Sequence, residues 1–419
     1  MTKTLTAEIL KKTDVKRFHT PSHAGKIDLP LAQCDVTELS YTDNLLSPVS
    51  LLKTLEQNVA SAYRAEACFI STQGATHNVL QAIYAVKEEG AFLTFGAAHA
   101  SVYNALRALS LRAYHADKFD ETISIPSDVK TVVFTSPDYF GNTLPLEKIY
   151  PFFHEKNINV IVDSSHGAHF AFSSKLPVSA TEYGDLVVVS LHKTLPVLTG
   201  GSALICKRKF YDTCFLARKI FHTTSPSFPT LCSIEKAIET FSKDGEKLYE
   251  KVFSAIENFK NKLPPPFSVM ETDDKTRLVL LSPYDGERVS EILLEKGFAA
   301  EMSYENRVVF IVNPYNFDAL DGLLEAVSGI VLPPFIKEDF PQKAHPKPTP
   351  MSFGLHAEAV PISEAMGRRS FLEIGFYPPG VPLLYAGDEI TKEHITYLSD
   401  EKAQKKVFGL ENGKIYVVK

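Results

Sequence analysis

A chain of 419 residues, 44% hydrophobic and 22% charged, is long enough for about two to four domains and a sizeable core. Its formal net charge of -6 and pI near 6.1 remove the electrostatic case for nucleic acid or an anionic membrane as partner. The five cysteines (Cys34, Cys68, Cys206, Cys214 and Cys232) are scattered without CxxC spacing, which argues against a disulfide framework or a structural zinc site.

The N-terminus, MTKTLTAEILKKTDVKRF, has no apolar signal core, and no stretch is apolar enough to span a bilayer, so a cytoplasmic protein is expected. Residues 1–45 read as an irregular N-terminal segment. Residues 48–64 have helical spacing at Leu51, Leu52, Leu55, Val59 and Tyr63. Short apolar runs then alternate with helical stretches: ACFIS (67–71), AFLTF (91–95), TVVFT (131–135), NVIVD (159–163), LVVVS (186–190) and SALIC (202–206). Several lack polar alternation, as strands buried on both faces of a parallel sheet do. The expected fold class is therefore α/β, with a large, mostly parallel-sheet domain over 46–245.

A second pattern begins near Lys247 with a long amphipathic helix. Two strand-like runs, 276–281 and 307–312, flank a helix-like 286–296, which predicts a smaller α+β domain over 246–335. Six prolines within 333–350 read as a linker, and 336–419 as linker plus a small C-terminal domain.

In open α/β sheets, ligands bind beyond the carboxyl ends of the strands. Here those ends carry the unusual residues. NVIVD runs into Asp163, His166 and His169, and LVVVS into Ser190, His192 and Lys193. Pyridoxal phosphate (PLP) chemistry needs an amine to join the cofactor's aldehyde, a carboxylate to keep the pyridine nitrogen protonated, and donors for the phosphate. Lys193 supplies the amine. Asp163, thirty residues earlier on a separate strand, supplies the carboxylate, although a helix cap is its plainer reading. Ser190 and His192 flank the lysine within reach of a phosphate. The segment Gly74, Ala75, Thr76, His77, Asn78 opens a helix whose backbone N–H groups suit the same phosphate.

Five motifs in order resemble the Orn/Lys/Arg decarboxylase family. SLHKTLPVLTGG (190–201) is similar to that family's S-x-H-K-T-L-P-x-L-T-x-G. VDSSHGAHF (162–170) is similar to V-D-E-A-H-G-x-H-F, and TTSPSF (223–228) to T-T-S-P-S-Y. DVTEL (35–39) with Asp43, Leu45 and Pro48, and AMGRRSFLEIGFYPPGVPLL near the C-terminus, complete the set. The resemblance runs through nearly the whole chain. It implies the type I PLP (aspartate-aminotransferase) fold, the short bacterial group without an N-terminal wing domain, and a homodimer with sites at the subunit interface.

It also implies roles. Lys193 carries PLP as a Schiff base, Asp163 faces the pyridine nitrogen, and His166 lies near the ring's 3-oxygen. His99 stacks on the ring. Thr76, Ser190 and His192 hold phosphate with the backbone around Ala75 and His77, and Thr223 and Ser225 reach it from a neighbouring subunit. Glu373 either meets a basic substrate's side chain or pairs with Arg368 or Arg369. His169, His19 and His23 read equally well as structural. Tyr377-Pro-Pro-Gly reads as a rigid turn. No metal site is expected. The chain departs from the family pattern at Ser22 and Ala24 in PSHAGK, at Gly96 and Ala100 in GAAHAS, and at Asn78 in the phosphate loop. The expected reaction is decarboxylation of lysine, ornithine or arginine to cadaverine, putrescine or agmatine, a step of polyamine biosynthesis. An aminotransferase, another lyase, or a PLP-binding regulatory protein without turnover are the alternatives.

Overall fold

Alternating strands and helices wind into an eight-stranded sheet in this computed structural model, which describes all residues except 1–3, 12–28, 30, 338–339, 355 and 377–379. His19, His23 and the PSHAGK motif, together with Tyr377 and the two prolines after it, lie outside the described residues. The strands are β1 (Ala67–Ser71), β2 (Ala91–Phe95), β3 (Ala113–Ala116), β4 (Val129–Thr135), β5 (Asn159–Asp163), β6 (Leu186–Val189) and β7 (Ser202–Cys206). The small domain supplies β8 (Ser268–Met270), β9 (Arg277–Leu281), β10 (Met302–Tyr304) and β11 (Arg307–Ile311), and β12 (Thr349–Pro350) returns to the large sheet. The large sheet has the order β1-β7-β6-β5-β4-β2-β3-β12.

Strands β3, β2, β4, β5 and β6 run parallel, while β7 is antiparallel to both its neighbours, β6 and β1. The carboxyl ends of β1, β2, β4, β5 and β6 therefore share one edge with the amino end of β7, and that edge holds the site.

Alternation along each strand sorts side chains to two cores. Phe69, Val133, Ile161, Val188 and Leu204 pack on one face beneath α3 (Gly74–Ala85), α4 (Ala100–Ala108) and α7 (Tyr211–Phe221). Val132, Val160, Val162, Val187, Val189 and Ile205 pack on the other, against α2 (Leu51–Ala62), α5 (Leu146–His154) and α8 (Phe228–Lys262). A six-residue helix, α1 (Leu5–Leu10), lies against α8, with Glu235 accepting from the Leu5 and Thr6 amides at 2.7 and 2.9 Å. Between β6 and β7 lies α6 (Leu191–Thr194).

The long helix expected from near Lys247 instead begins at Phe228 and is continuous for 35 residues, bridging the large sheet and the small domain. Ser227 caps it and Pro229 occupies its first turn, where a missing N–H costs nothing. The small domain is the antiparallel sheet β10-β11-β9-β8, with α9 (Gly286–Glu295) and α10 (Leu320–Val327). The proline-rich stretch is pinned to the large domain. The Asp117 N–H donates to the His345 carbonyl, the His345 N–H donates to Asp117 Oδ2, and β12 pairs with β3. Two three-stranded sheets follow, β13 (Ala357–Pro361)-β18 (Lys414–Val418)-β17 (Leu410–Glu411) and β15 (Val381–Leu384)-β14 (Ile374–Phe376)-β16 (Val407–Phe408). Among the described residues no helix is long and apolar enough to cross a membrane. No disulfide forms: Cys68, Cys206, Cys214 and Cys232 are buried thiols and Cys34 is half-buried.

A buried ion pair ties α7 to α2. Arg218, fully buried, pairs with Glu56 and stacks 4.9 Å from the Phe69 ring. Burial pushes the Glu56 carboxyl upward and Arg218 pulls it back down. Arg218→Met would strand that carboxylate and should cost about 3–5 kcal/mol, read from the urea midpoint, while adding Glu56→Gln should recover most of the loss. A midpoint unchanged by Arg218→Met would refute this role.

Candidate active site

The shared strand edge opens into a cavity of about 910 Å3, at the upper end of the range for ligand pockets. Its walls come from the turn after β1, the loops after β2, β3, β4, β5 and β6, and Gly380 and Phe408 of the C-terminal region.

Lys193 follows β6. The chain turns into α6 as soon as Val189 leaves the sheet, which carries the lysine back over the cavity floor. Its Nζ lies 3.1 Å from His166 Nε2. Burial lowers its basicity, Asp163 and Glu301 oppose that, and Arg277 reinforces it. Asp163 is the last residue of β5, on the adjacent strand, and is buried at the cavity wall. The Ser165 N–H and hydroxyl donate to its Oδ1 at 3.1 and 2.5 Å. Among the described residues no bond falls on its Oδ2, so one carboxylate oxygen retains its full acceptor capacity. The plainer helix-cap reading is not what is seen: the capped turn is Asp163's own short link to Ser165.

His99 is the N-cap of α4, with Nδ1 accepting from the Ser101 N–H at 3.2 Å. Burial lowers its basicity, with Asp163 opposing. His192 Nδ1 donates to the Gly201 carbonyl at 3.0 Å and lies 3.3 Å from Ser190 Oγ. Gly74, Ala75 and Thr76 form the first turn of α3, whose leading amides have no acceptor within the helix. Gly74 has φ +78°, and a Cβ built on it would meet nothing within 4 Å. Its N–H donates to the Gly200 carbonyl at 2.7 Å. Gly200 permits this approach, for it has φ +95° and a Cβ there would fall 2.6 Å from the Thr72 carbonyl.

The cavity thus gathers Gly74, Ala75, Thr76, His99, Asp163, His166, Ser190, His192 and Lys193. It does not gather every expected residue. The His77 ring is buried edge-on against His222, 4.8 Å away, and is pushed down to about 3, so that only its backbone belongs to the α3 turn. Thr223 and Ser225 lie at the surface beside that turn, where the Thr223 N–H donates to Gln73 Oε1 at 2.8 Å, and neither lines the cavity of a single chain. Glu373 is buried and pairs with Arg107 at 3.3 Å, not with Arg368 or Arg369. Burial raises it and Arg107 counters. His169 bonds Asp274 and Thr276 at 3.2 and 3.0 Å, behind the cavity wall.

Two contributors escaped the motif reading. Tyr139, in the loop after β4, lines the cavity with its ring 4.5 Å from that of His166. Arg277, the first residue of β9, reaches His166 Nδ1 at 3.0 Å. The available signal for Arg277 was a charge opening an otherwise apolar strand.

The eight-stranded sheet, the antiparallel small domain and a lysine at the carboxyl edge define a type I fold of PLP-dependent enzymes. A lysine decarboxylase structure from Francisella novicida, LdcF, superposes on 99% of the chain and 80% of its own length with a TM-score of 0.78 at 16% identity. Residues 95–279 match the family model described as Orn/Lys/Arg decarboxylase, major domain. An uncharacterized Bacillus subtilis protein, YaaO, is 28% identical over 91% of this chain and 90% of its own length. The arginine decarboxylase of the same organism is 24% identical over 96% and 94%. Over residues 95–279 the chain is similar to the Orn/Lys/Arg decarboxylase family.

Proposed function

We propose that the chain decarboxylates a basic amino acid (lysine, ornithine or arginine) to the corresponding amine and CO2, using pyridoxal 5'-phosphate held at Lys193. The observation that carries this is a partly desolvated lysine amine, 3.1 Å from His166, on the floor of a cavity that Asp163 and His99 also line. The donor set fits the cofactor. An amine with lowered basicity suits an aldehyde, and a carboxylate with one open oxygen suits a pyridine nitrogen. The clear space over Gly74 and the leading amides of α3 suit a phosphate dianion. When bound, PLP supplies the electron sink that decarboxylation needs.

The remaining work falls to this chain. Asp163 holds a proton on the ring nitrogen, and His99, fixed by Ser101, limits ring tilt. Thr76, Ser190 and His192 orient the phosphate together with the amides of Ala75, Thr76 and His77. Lys193, whose Nζ lies 3.1 Å from His166 Nε2, would be the group that returns a proton to the substrate's α-carbon. Thr223 and Ser225 of a second copy would complete the phosphate cup, which is the reason to expect a homodimer. The arginine decarboxylase and lysine decarboxylase names of its relatives favour a basic side chain. That product class is the reason to read the chain as an enzyme of polyamine formation.

PLP-loaded protein incubated separately with lysine, ornithine and arginine should release cadaverine, putrescine or agmatine from one of them, with CO2, as identified by mass. A keto acid would indicate transamination instead. Bound PLP with no product from any of the three would favour a regulatory protein.

A further inference from the structure

Arg277 is fully buried, stands in the small domain, and does not line the cavity. Its place is made by Gly141, whose φ is +92° and where a Cβ would fall 2.6 Å from Arg277 Cγ. Asp274 lies 3.6 Å from its Nε. One terminal nitrogen donates to His166 Nδ1 at 3.0 Å and to the His166 carbonyl at 3.2 Å.

A guanidinium has donors only. His166 Nδ1 must therefore present its lone pair, and a neutral imidazole then keeps its proton on Nε2. Nε2 is the atom that faces Lys193 Nζ. An ammonium group has no lone pair, so an N–H at Nε2 pairs with the lysine only as the free amine. We propose that Arg277 is a positioning residue: by donating to His166 Nδ1 it fixes the Nε2–H tautomer, and that N–H holds Lys193 Nζ as the free amine required to attack an aldehyde. The inference rests on reading Lys193 as the residue that joins the cofactor. An amine condenses with an aldehyde and releases one water, whereas an ammonium must first lose a proton.

The surroundings agree. Lys193 is faced by Asp163 from β5 and Glu301 beside β10, which favour its charge, and by Arg277 from β9 and burial, which oppose it; burial is the largest influence. The Tyr139 ring is 5.8 Å from Nζ. His166 is faced by Arg277, Lys193, His99 and His169, and with burial each of them disfavours its cation.

The test begins on the full-length chain without added cofactor. Ring 15N spectra of histidine-labelled protein, with His166 identified by its loss in His166→Asn, should show Nε2–H and an unprotonated Nδ1 at neutral pH. An Nδ1–H ring or an imidazolium in the wild type overturns the proposal, and the variant serves only to assign the signal. The pH dependence of Lys193 capture by PLP, trapped with cyanoborohydride and read by peptide mass, supplies the second arm. Arg277→Met should move the half-maximal pH upward by about one unit or more, and Arg277→Lys should restore it. In a His166→Asn background, Arg277→Met should cause a clearly smaller shift, the part that the Arg277 charge exerts directly on Lys193. An equal shift there would mean that Arg277 acts by charge alone, which also overturns the proposal. Wild-type Lys193 that PLP never captures would defeat the cofactor reading, leaving the tautomer spectrum to decide the role of Arg277.

Discussion

Lys193→Ala is expected to abolish covalent PLP binding and to lower turnover by about 10^4-fold or more, as loss of a covalent nucleophile does. The cavity offers no substitute. Among the described residues that line it, the one other lysine, Lys118, lies in the loop after β3 with Asp117 and Phe119, away from the β5 and β6 ends. Alanine would also leave His166 Nε2–H without its acceptor. Lys193→Arg is a second control, because it keeps a long nitrogen-bearing side chain but cannot condense with an aldehyde. Borohydride reduction of PLP-treated protein, followed by peptide mass, should place the added mass on Lys193 in the wild type and nowhere in either variant. Retention of both the visible absorbance and full turnover in Lys193→Ala would remove this lysine from the mechanism.

Asp163→Asn should separate binding from chemistry. The amide oxygen can still accept from Ser165, so the turn at the end of β5 should persist. Lys193 is untouched and should still capture PLP. What is lost is the fixed negative charge that holds a proton on the pyridine nitrogen. Removing one preorganised electrostatic partner from a water-poor site costs about 10^2–10^3-fold in kcat. The expected pattern is a stoichiometric chromophore with kcat reduced by that factor and KM little altered. Wild-type kcat in a fully loaded Asp163→Asn protein would refute the pairing.

What could be read from the sequence was local. β5 and β6 stand out because they are short, apolar and followed at once by polar residues. β3 escaped notice because its four residues include His115, a polar residue that is buried here by stacking 3.7 Å from Tyr385, far along the chain. The start of α8 was missed although Ser227 and Pro229 form a helix-start signal; the pattern was picked up only where charges become regular, near Lys247. The role of Arg277 and the partner of Glu373 were beyond local reading. Their partners, His166 and Arg107, are 111 and 266 positions away, and burial rather than sequence spacing selects them. Motif reasoning found most of the polar residues that touch the cavity but missed Tyr139, which lines it, and Arg277, which holds His166 from behind.

The short β12 strand has a meaning beyond connecting two parts of the chain. It covers β3, which would otherwise be the outermost strand of the large sheet. An uncovered strand presents a row of unpaired N–H and C=O groups, a template for pairing with another chain. The C-terminal region is therefore not an appendage that could be removed at the proline-rich stretch. It closes a sheet edge that would otherwise invite self-association, and by reaching the cavity with Gly380 and Phe408 it ties solubility and catalysis to the same segment.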